Sequence, residues 1–301
     1  VSMLAPAAQL LLGILLLAYA SDWLTEGCAR AARRFGISRF VVGALVIGFG
    51  TSSPELFTSV YASLRGSGGI AVGNAVGSNV TNLALILGSA VVLFPAGIGR
   101  VELRNGAVCL GITLLAWLSM LGGEVARWEG LLLVLVFLGY LWYSVRNHEG
   151  VERREERGRI LLPTTAGLAG VLLGSMLLVD SAAELARAFG VPESVIGLTL
   201  VAFGTSLPEL AVSMVAARKG YSSMLIGNVL GSNIFNLTLV LGTAALVGAL
   251  PVDEAGMRGM LTAVLATAAV LLPMGLRRRL GRGEGVLLLC GYLLFLWLAY
   301  S

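Results

Sequence analysis

The stretch VVGALVIGFGTSSPEL at 41–56 is written a second time at 195–210, as VIGLTLVAFGTSLPEL. At the same offset of 154, GNAVGSNVTNLALILG at 73–88 returns as GNVLGSNIFNLTLVLG at 227–242. No gap interrupts 41–88, and 22 of the 48 aligned positions are identical. Apolar coincidence does not place Gly, Thr, Ser, Pro, Glu and Asn in register, so the chain is a duplication. Upstream the match is looser: Asp22 and Glu26 return as Asp180 and Glu184, and Phe35-Gly36 as Phe189-Gly190 after a four-residue shortening. Two copies, unlike many, do not suggest a solenoid.

The repeat sits in a chain of 301 residues that is 57% hydrophobic and only 13% charged. A soluble domain carries about a quarter charged residues, so disorder, a nucleic-acid binder and a water-soluble enzyme are poor fits. A spanning helix needs about 20 apolar residues. Ten such segments are present, near 4–24, 39–62, 70–95, 103–122, 128–145, 161–182, 194–217, 224–249, 257–274 and 284–300. They are too long and continuous for the strands of an outer-membrane barrel. The fold class is therefore an all-α membrane protein of ten transmembrane helices in two inverted five-helix repeats, 1–145 and 161–301, joined by a cytoplasmic linker at 146–160. The opening stretch lacks a basic region and a small-residue cleavage site, and reads as a first span. Cys28, Cys109 and Cys290 form no CxxC pair, which indicates neither a zinc site nor a disulfide framework.

Basic residues set the orientation. With the N-terminus outward, 17 of the 21 Lys and Arg fall in cytoplasmic joints, and only Arg65, Arg127, Arg187 and Arg258 fall opposite. That is a positive-inside pattern, and it places both termini outside the cytoplasmic membrane. Five helices per half force the second copy to enter reversed, which the arginines require independently. Inverted repeats with interrupted helices are a plan of secondary transporters, with the substrate site between the repeats at the midplane. His148, the only histidine, reads as a surface residue of the charged linker.

The repeated segments carry the chemistry. Glu55 and Glu209 stand near the centres of apolar segments, where an ionised carboxylate is costly unless it has partners or lines a polar cavity. Each follows a proline. Pro54 and Pro208 deprive the carbonyls of Gly50 and Gly204 of their helical bonds, so a broken or kinked helix is expected there. Around the break Thr51, Ser52, Thr205 and Ser206 offer hydroxyls, and Gly48 and Ala202 offer carbonyls one turn earlier. Ser78 and Asn82, like Ser232 and Asn236, are four apart and share a helical face. Asn74 and Asn228 accompany them, while Asn79 and Asn233 point partly aside, towards freed backbone groups. Gly73, Gly77, Gly227 and Gly231 have the spacing of close helix contacts. The donor set is all oxygen, suited to hard cations, and Ca2+ accepts such irregular shells more readily than Mg2+. Asp22, Glu26, Asp180 and Glu184 lie towards helix ends, where an arginine partner is within reach.

These residues resemble the sodium/calcium exchanger branch of the cation/calcium exchanger superfamily: GTSSPEL and GTSLPEL are similar to the cores of its two repeats, and GSNVTN and GSNIFN to the partner segments. The likeness covers essentially the whole chain. It implies that Glu55 and Glu209 bind Ca2+ between them, completed by the carbonyls of Thr51 and Thr205. Ser52, Ser206, Ser78 and Ser232 would join flanking Na+ sites with the carbonyls of Gly48 and Ala202, and Asn82 and Asn236 would face the middle. Several prokaryotic members and the potassium-dependent exchangers have aspartate where this chain has Asn236, which argues against potassium dependence. The resemblance implies exchange of about three Na+ for one Ca2+ by alternating access, with no cofactor, with the lipid bilayer and the ions as partners, and with a single chain sufficient.

An H+/Ca2+ antiporter using the same glutamates is the alternative reading, though proton exchangers typically show G-N-x-x-E where this chain has G-T-S-x-P-E. A cation channel would need a continuous polar pore. An intramembrane protease lacks a companion for either glutamate.

Overall fold

The computed structural model describes residues 3–146, 159–189 and 204–300. The joint at 147–158 with His148, and Ala202, lie outside the described residues. The first half runs α1 (Leu4–Phe35), α2 (Arg39–Thr51), α3 (Ser53–Leu64), α4 (Gly68–Leu93), α5 (Arg100–Met120) and α6 (Arg127–Arg146). The second runs α7 (Leu161–Ala188), α8 (Leu207–Arg218), α9 (Ser222–Val247), α10 (Glu254–Arg277) and α11 (Arg282–Tyr300). Seven of these (α1, α4, α5, α6, α7, α9 and α10) are long and apolar enough to cross a bilayer, and α2 with α3, bent by 44°, makes an eighth span. Among the described residues the second half also holds the 12-residue α8 and the 19-residue α11.

The most apolar window of α9 is 94% buried and that of α4 72%, against 22% for α7. The two glycine- and asparagine-rich helices are therefore the core, and the others wrap them and face lipid. Glycine sets how closely α2 lies on α9. A Cβ at Gly231 would meet Cα of Ala44 at 2.5 Å, and one at Gly43 would meet the Met224 carbonyl oxygen at 2.6 Å. The close approach expected from the glycine spacing is realised as backbone against backbone at Gly227 and Gly231, whereas a Cβ at Gly73 or Gly77 would meet no described atom within 4 Å.

One expectation needs correction. The first span does not end near residue 24; α1 continues to Phe35 over 32 residues, about 48 Å at 1.5 Å per residue and well beyond the roughly 30 Å hydrocarbon layer. Thr25, Cys28, Ala29 and Ala32 keep an inward face buried while Glu26, Arg30 and Arg33 occupy the other, so helical periodicity outlasts the apolar run. Gly36, at φ 68°, ends the helix in the left-handed conformation. The long α1 and α7 lie antiparallel with glycines at their seam: a Cβ at Gly13 would meet the Leu178 nitrogen at 2.9 Å, and one at Gly167 the Leu24 nitrogen at 2.6 Å.

Two short strand pairs fix the topology. β1 (Ala96–Gly97) follows α4 and pairs antiparallel with β4 (Arg279–Leu280), between α10 and α11. β2 (Glu124–Val125), between α5 and α6, pairs with β3 (Leu250–Pro251), which follows α9. Because α5 crosses the protein between β1 and β2, the two pairs lie on opposite faces. Hence α4 runs into one face and its copy α9 into the other, which is the inversion the sequence required. The copies agree in detail: Ile98 N donates to Arg278 O and Val252 N to Gly123 O, both at 2.9 Å. Gly66 and Gly220 turn at φ 73° and 72°. Arg278 holds φ 52° where the first half has Gly123 at 82°.

Candidate functional site

Both proline-glutamate motifs start a new helix. Ser52 and Ser206 cap α3 and α8 outside helical geometry, and Pro54 and Pro208 occupy the first turn, where no backbone N–H is needed. Glu55 and Glu209 therefore sit in the first turns of helices that begin inside the protein, each near the positive end of a helix dipole. Both are buried, as are Thr51, Ser52, Ser206, Ser78, Ser232, Asn82 and Asn236. Gly48 is buried and Thr205 half-buried.

The two halves interlock at this point. Ser52 Oγ donates to Glu209 Oε1 at 2.8 Å, and the Thr205 side chain hydrogen-bonds Glu55 in return. Ser232 Oγ donates to the Gly48 carbonyl at 3.2 Å. Asn82 Nδ2 donates to Asn233 Oδ1 at 3.0 Å, where α4 crosses α9. Both core helices widen into π-helical turns here, at Thr81–Leu87 and Asn236–Val240; such turns re-aim side chains and concentrate at functional sites. The glutamates are near enough that each carboxylate lies in the other's field.

What the network leaves over is more telling. Glu55 Oε2, Glu209 Oε2, Ser206 Oγ, Asn82 Oδ1 and both amide atoms of Asn236 are buried and have no hydrogen-bond partner among the described residues. Buried polar atoms are normally paired, and an unpaired carboxylate oxygen is the most expensive case. These atoms come from both repeats and from residues the sequence selected, although Ser21, Thr25, Trp117 and Ser144, elsewhere in the helices, also hold buried polar atoms without a partner among the described residues. Two carboxylates with neutral oxygens around them are a shell for a hard cation.

Some expectations are redirected. The Gly204 carbonyl, freed by Pro208, accepts from Ser175 Oγ on α7 at 3.0 Å. The Thr51 hydroxyl donates back to the Ile47 carbonyl at 2.9 Å, which spends its hydrogen and leaves its oxygen lone pairs and its backbone carbonyl to serve an ion. Asn79 bonds Ala75 O on its own helix and Asn233 bonds Asn79 O; these are carbonyls of α4 and not those at the breaks, because the π-helical turns bring the asparagines onto the α4–α9 crossing. Asp22 and Glu26 lie within α1, where Lys219 Nζ approaches Asp22 at 2.9 Å and Glu26 at 3.8 Å, Arg218 reaches Asp22 at 3.3 Å, and Arg30 and Arg33 flank Glu26. Asp180 and Glu184 are exposed and in no ion pair among the described residues.

Ser59 and Ser213 escaped the sequence reading. Each accepts from a core-helix asparagine at 2.9 Å: Asn74 for Ser59, Asn228 for Ser213. The signal was available, since both serines lie four residues after their glutamates in both copies. Ser175 had none, because its partner is a backbone carbonyl.

The family model for sodium/calcium exchanger proteins matches residues 6–146 and 161–301. Inner membrane protein YrbG of Escherichia coli is 34% identical over 319 residues, covering 99% of this chain and 98% of that protein. The sodium/calcium exchanger MaX1 of Methanosarcina acetivorans is 31% identical over 339 residues, covering 95% and 96%. Among solved structures, the sodium-calcium exchanger NCX_Mj soaked with 10 mM Na+ and zero Ca2+ superimposes with a TM-score of 0.89 at 36% identity, covering 97% of this chain and 98% of that one.

Proposed function

Since the chain belongs to the sodium/calcium exchanger family, we propose that Glu55 and Glu209 carry Ca2+ in one half-cycle and Na+ in the other. The protein is a secondary Na+/Ca2+ antiporter and not an enzyme, a multi-pass protein of the cytoplasmic membrane. The observation that supports the residue assignment is the set of buried, unpaired oxygens contributed by both repeats.

In this reading Glu55 and Glu209 hold Ca2+ together with the carbonyls of Thr51 and Thr205. Ser52, Ser206, Ser78 and Ser232, with the carbonyls of Gly48 and Ala202, serve Na+, and Asn82 and Asn236 face the centre. Left without ions, two carboxylates at this depth are heavily penalised, so passage between inward and outward states with an empty site is slow. That penalty enforces exchange over leak. In the same reading α1 and α7, packed along a glycine seam, slide or rock as gates, and the seam supports it by letting the two helices lie in close contact. The arginine distribution puts the β1/β4 face in the cytoplasm, both termini outside, and 146–160 as the joint between halves 1–145 and 161–301. Exchange of three Na+ for one Ca2+ moves one net charge, worth about 2.3 kcal/mol per 100 mV.

The test is 45Ca2+ uptake into proteoliposomes under imposed Na+ or pH gradients, for the native chain and for Glu55→Gln and Glu209→Gln. Exchange driven by Na+ and abolished in both variants is expected. Full exchange in both would refute the assignment, and uptake driven by a pH gradient without Na+ would establish the proton reading. Uptake insensitive to membrane potential would overturn the stoichiometry.

A further inference from the structure

Asn74 and Asn228 lie outside the ion-facing set, yet each makes the same two bonds. Asn74 Nδ2 donates to the backbone carbonyl of Glu55 at 3.1 Å and to Ser59 Oγ at 2.9 Å. Asn228 Nδ2 donates to the carbonyl of Glu209 at 3.4 Å and to Ser213 Oγ at 2.9 Å. A carbonyl only accepts, so the amide must present its nitrogen, and both N–H groups are engaged. Asn228 Oδ1, by contrast, is buried without a partner among the described residues. Both positions use the two donors of the amide.

We infer that Asn74 and Asn228 are positioning residues that set the rotation and depth of the ion-binding glutamates. The helix is interrupted just before each glutamate, so the ladder of backbone bonds holds the rotation of α3 and α8 less firmly there; on α3 the upstream side-chain tie is Ser53 Oγ to the Phe49 carbonyl at 3.2 Å. The first polar tie downstream is the asparagine, and it grips the backbone of the glutamate itself. Its second bond, to the serine one turn further on, prevents α3 from pivoting about the first. A single contact to a carbonyl would glue two helices; two contacts from one amide fix an orientation. Ligand constellations tolerate displacements of only about 0.5 Å, which a small rotation of the helix exceeds at the end of a glutamate side chain. The arrangement recurs at both glutamates on helices running in opposite directions, so it follows the carboxylates and not a face of the membrane. Asn74 and Asn228 thus act on ion affinity through Glu55 and Glu209 without touching the ion. This inference rests on the glutamates being the ion ligands.

The experiment compares Asn74→Leu and Asn228→Leu, which keep side-chain volume and remove both donors, with Ser59→Ala and Ser213→Ala, which remove one acceptor each. Na+-driven 45Ca2+ exchange is measured in proteoliposomes across Ca2+ concentrations. The leucine variants are expected to raise the Ca2+ KM about tenfold with the maximal rate within threefold of native, and the alanine variants to raise KM about threefold. A polar contact that only stabilises packing would lower the amount of active protein, and so the maximal rate, at native KM; that outcome overturns the inference. Should a leucine variant fail to elute as a single species, its serine partner decides, and native KM in Ser59→Ala and Ser213→Ala overturns it. Failure of Glu55→Gln and Glu209→Gln to affect exchange would instead remove the premise, and this inference with it.

Discussion

Gly231→Ala is a one-carbon change that should disable transport more than it destabilises the protein. The added Cβ would lie 2.5 Å from Cα, 2.7 Å from the carbonyl oxygen and 2.8 Å from Cβ of Ala44. None belongs to a flexible side chain, so α9 and α2 must separate. Restoring carbon contacts to about 3.5 Å requires a local shift of about 1 Å. The next residue is Ser232, whose hydroxyl donates to the Gly48 carbonyl at 3.2 Å; the same shift carries that pair beyond hydrogen-bonding distance. Overpacking of this kind costs about 1–3 kcal/mol of stability. Displacing Ser232 and Gly48 together should raise the KM for Na+ tenfold or more, each factor of ten being about 1.4 kcal/mol. The assay pairs thermal unfolding in detergent with Na+-driven Ca2+ flux. Gly139→Ala is the control: it meets no described atom within 4 Å and should be neutral or slightly stabilising, as alanine favours helix over glycine. A Gly231→Ala protein that melts lower yet transports with native KM would refute the link between the glycine contact and the ion site.

Ser52→Ala removes a buried bond to a carboxylate, worth about 1.5–3 kcal/mol. Ca2+ affinity should fall tenfold or more in equilibrium titration, and a change below twofold would show that Ser52 does not hold Glu209 in the loaded state. Lys219→Ala breaks the ion pairs with Asp22 and Glu26, which join α1 to the second half on one face only. Apparent Ca2+ affinities measured from the two sides of a vesicle should shift in opposite senses by about fivefold, the effect of roughly 1 kcal/mol; equal shifts on both sides would contradict a role in the balance of states. Arg278→Gly relieves a left-handed residue, a strain of about 1 kcal/mol, and should raise the melting temperature by about 2 °C. An unchanged or lower melting temperature would mean that the Arg278 side chain contributes as much as its backbone conformation costs.

Much of this arrangement is legible in the duplicated motif. Two glutamates after two prolines, flanked by hydroxyls and followed by asparagines in register, select the buried residues that the structure gathers, because a polar group repeated inside an apolar span has few places to go. The arginine count foresees an inversion that the strand pairs then display. Partners that are backbone atoms were not legible: the Gly204 carbonyl facing Ser175, the Gly48 carbonyl facing Ser232, and the glutamate carbonyls gripped by Asn74 and Asn228. A carbonyl has the same letter whatever faces it. The length of α1 was hidden for a different reason, since hydropathy falls where the helix leaves the bilayer while its periodicity continues. Asp22 and Glu26 consequently read as end-of-helix charges, although the helix carries them against Lys219.

The strand pairs and glycine contacts share a pattern. β1 finds its partner in the other half, as does β2, and the close approaches follow suit: Gly88 of α4 meets Gly285 of α11, and Gly242 of α9 meets Gly130 of α6. The outer helices of each half thus brace the centre of its sibling. A five-helix polypeptide standing alone would leave both of its short strands unmatched and its central helix uncovered on one flank. What would complete it is a second identical molecule threaded through the membrane upside down, so the fused chain has the geometry of an antiparallel homodimer.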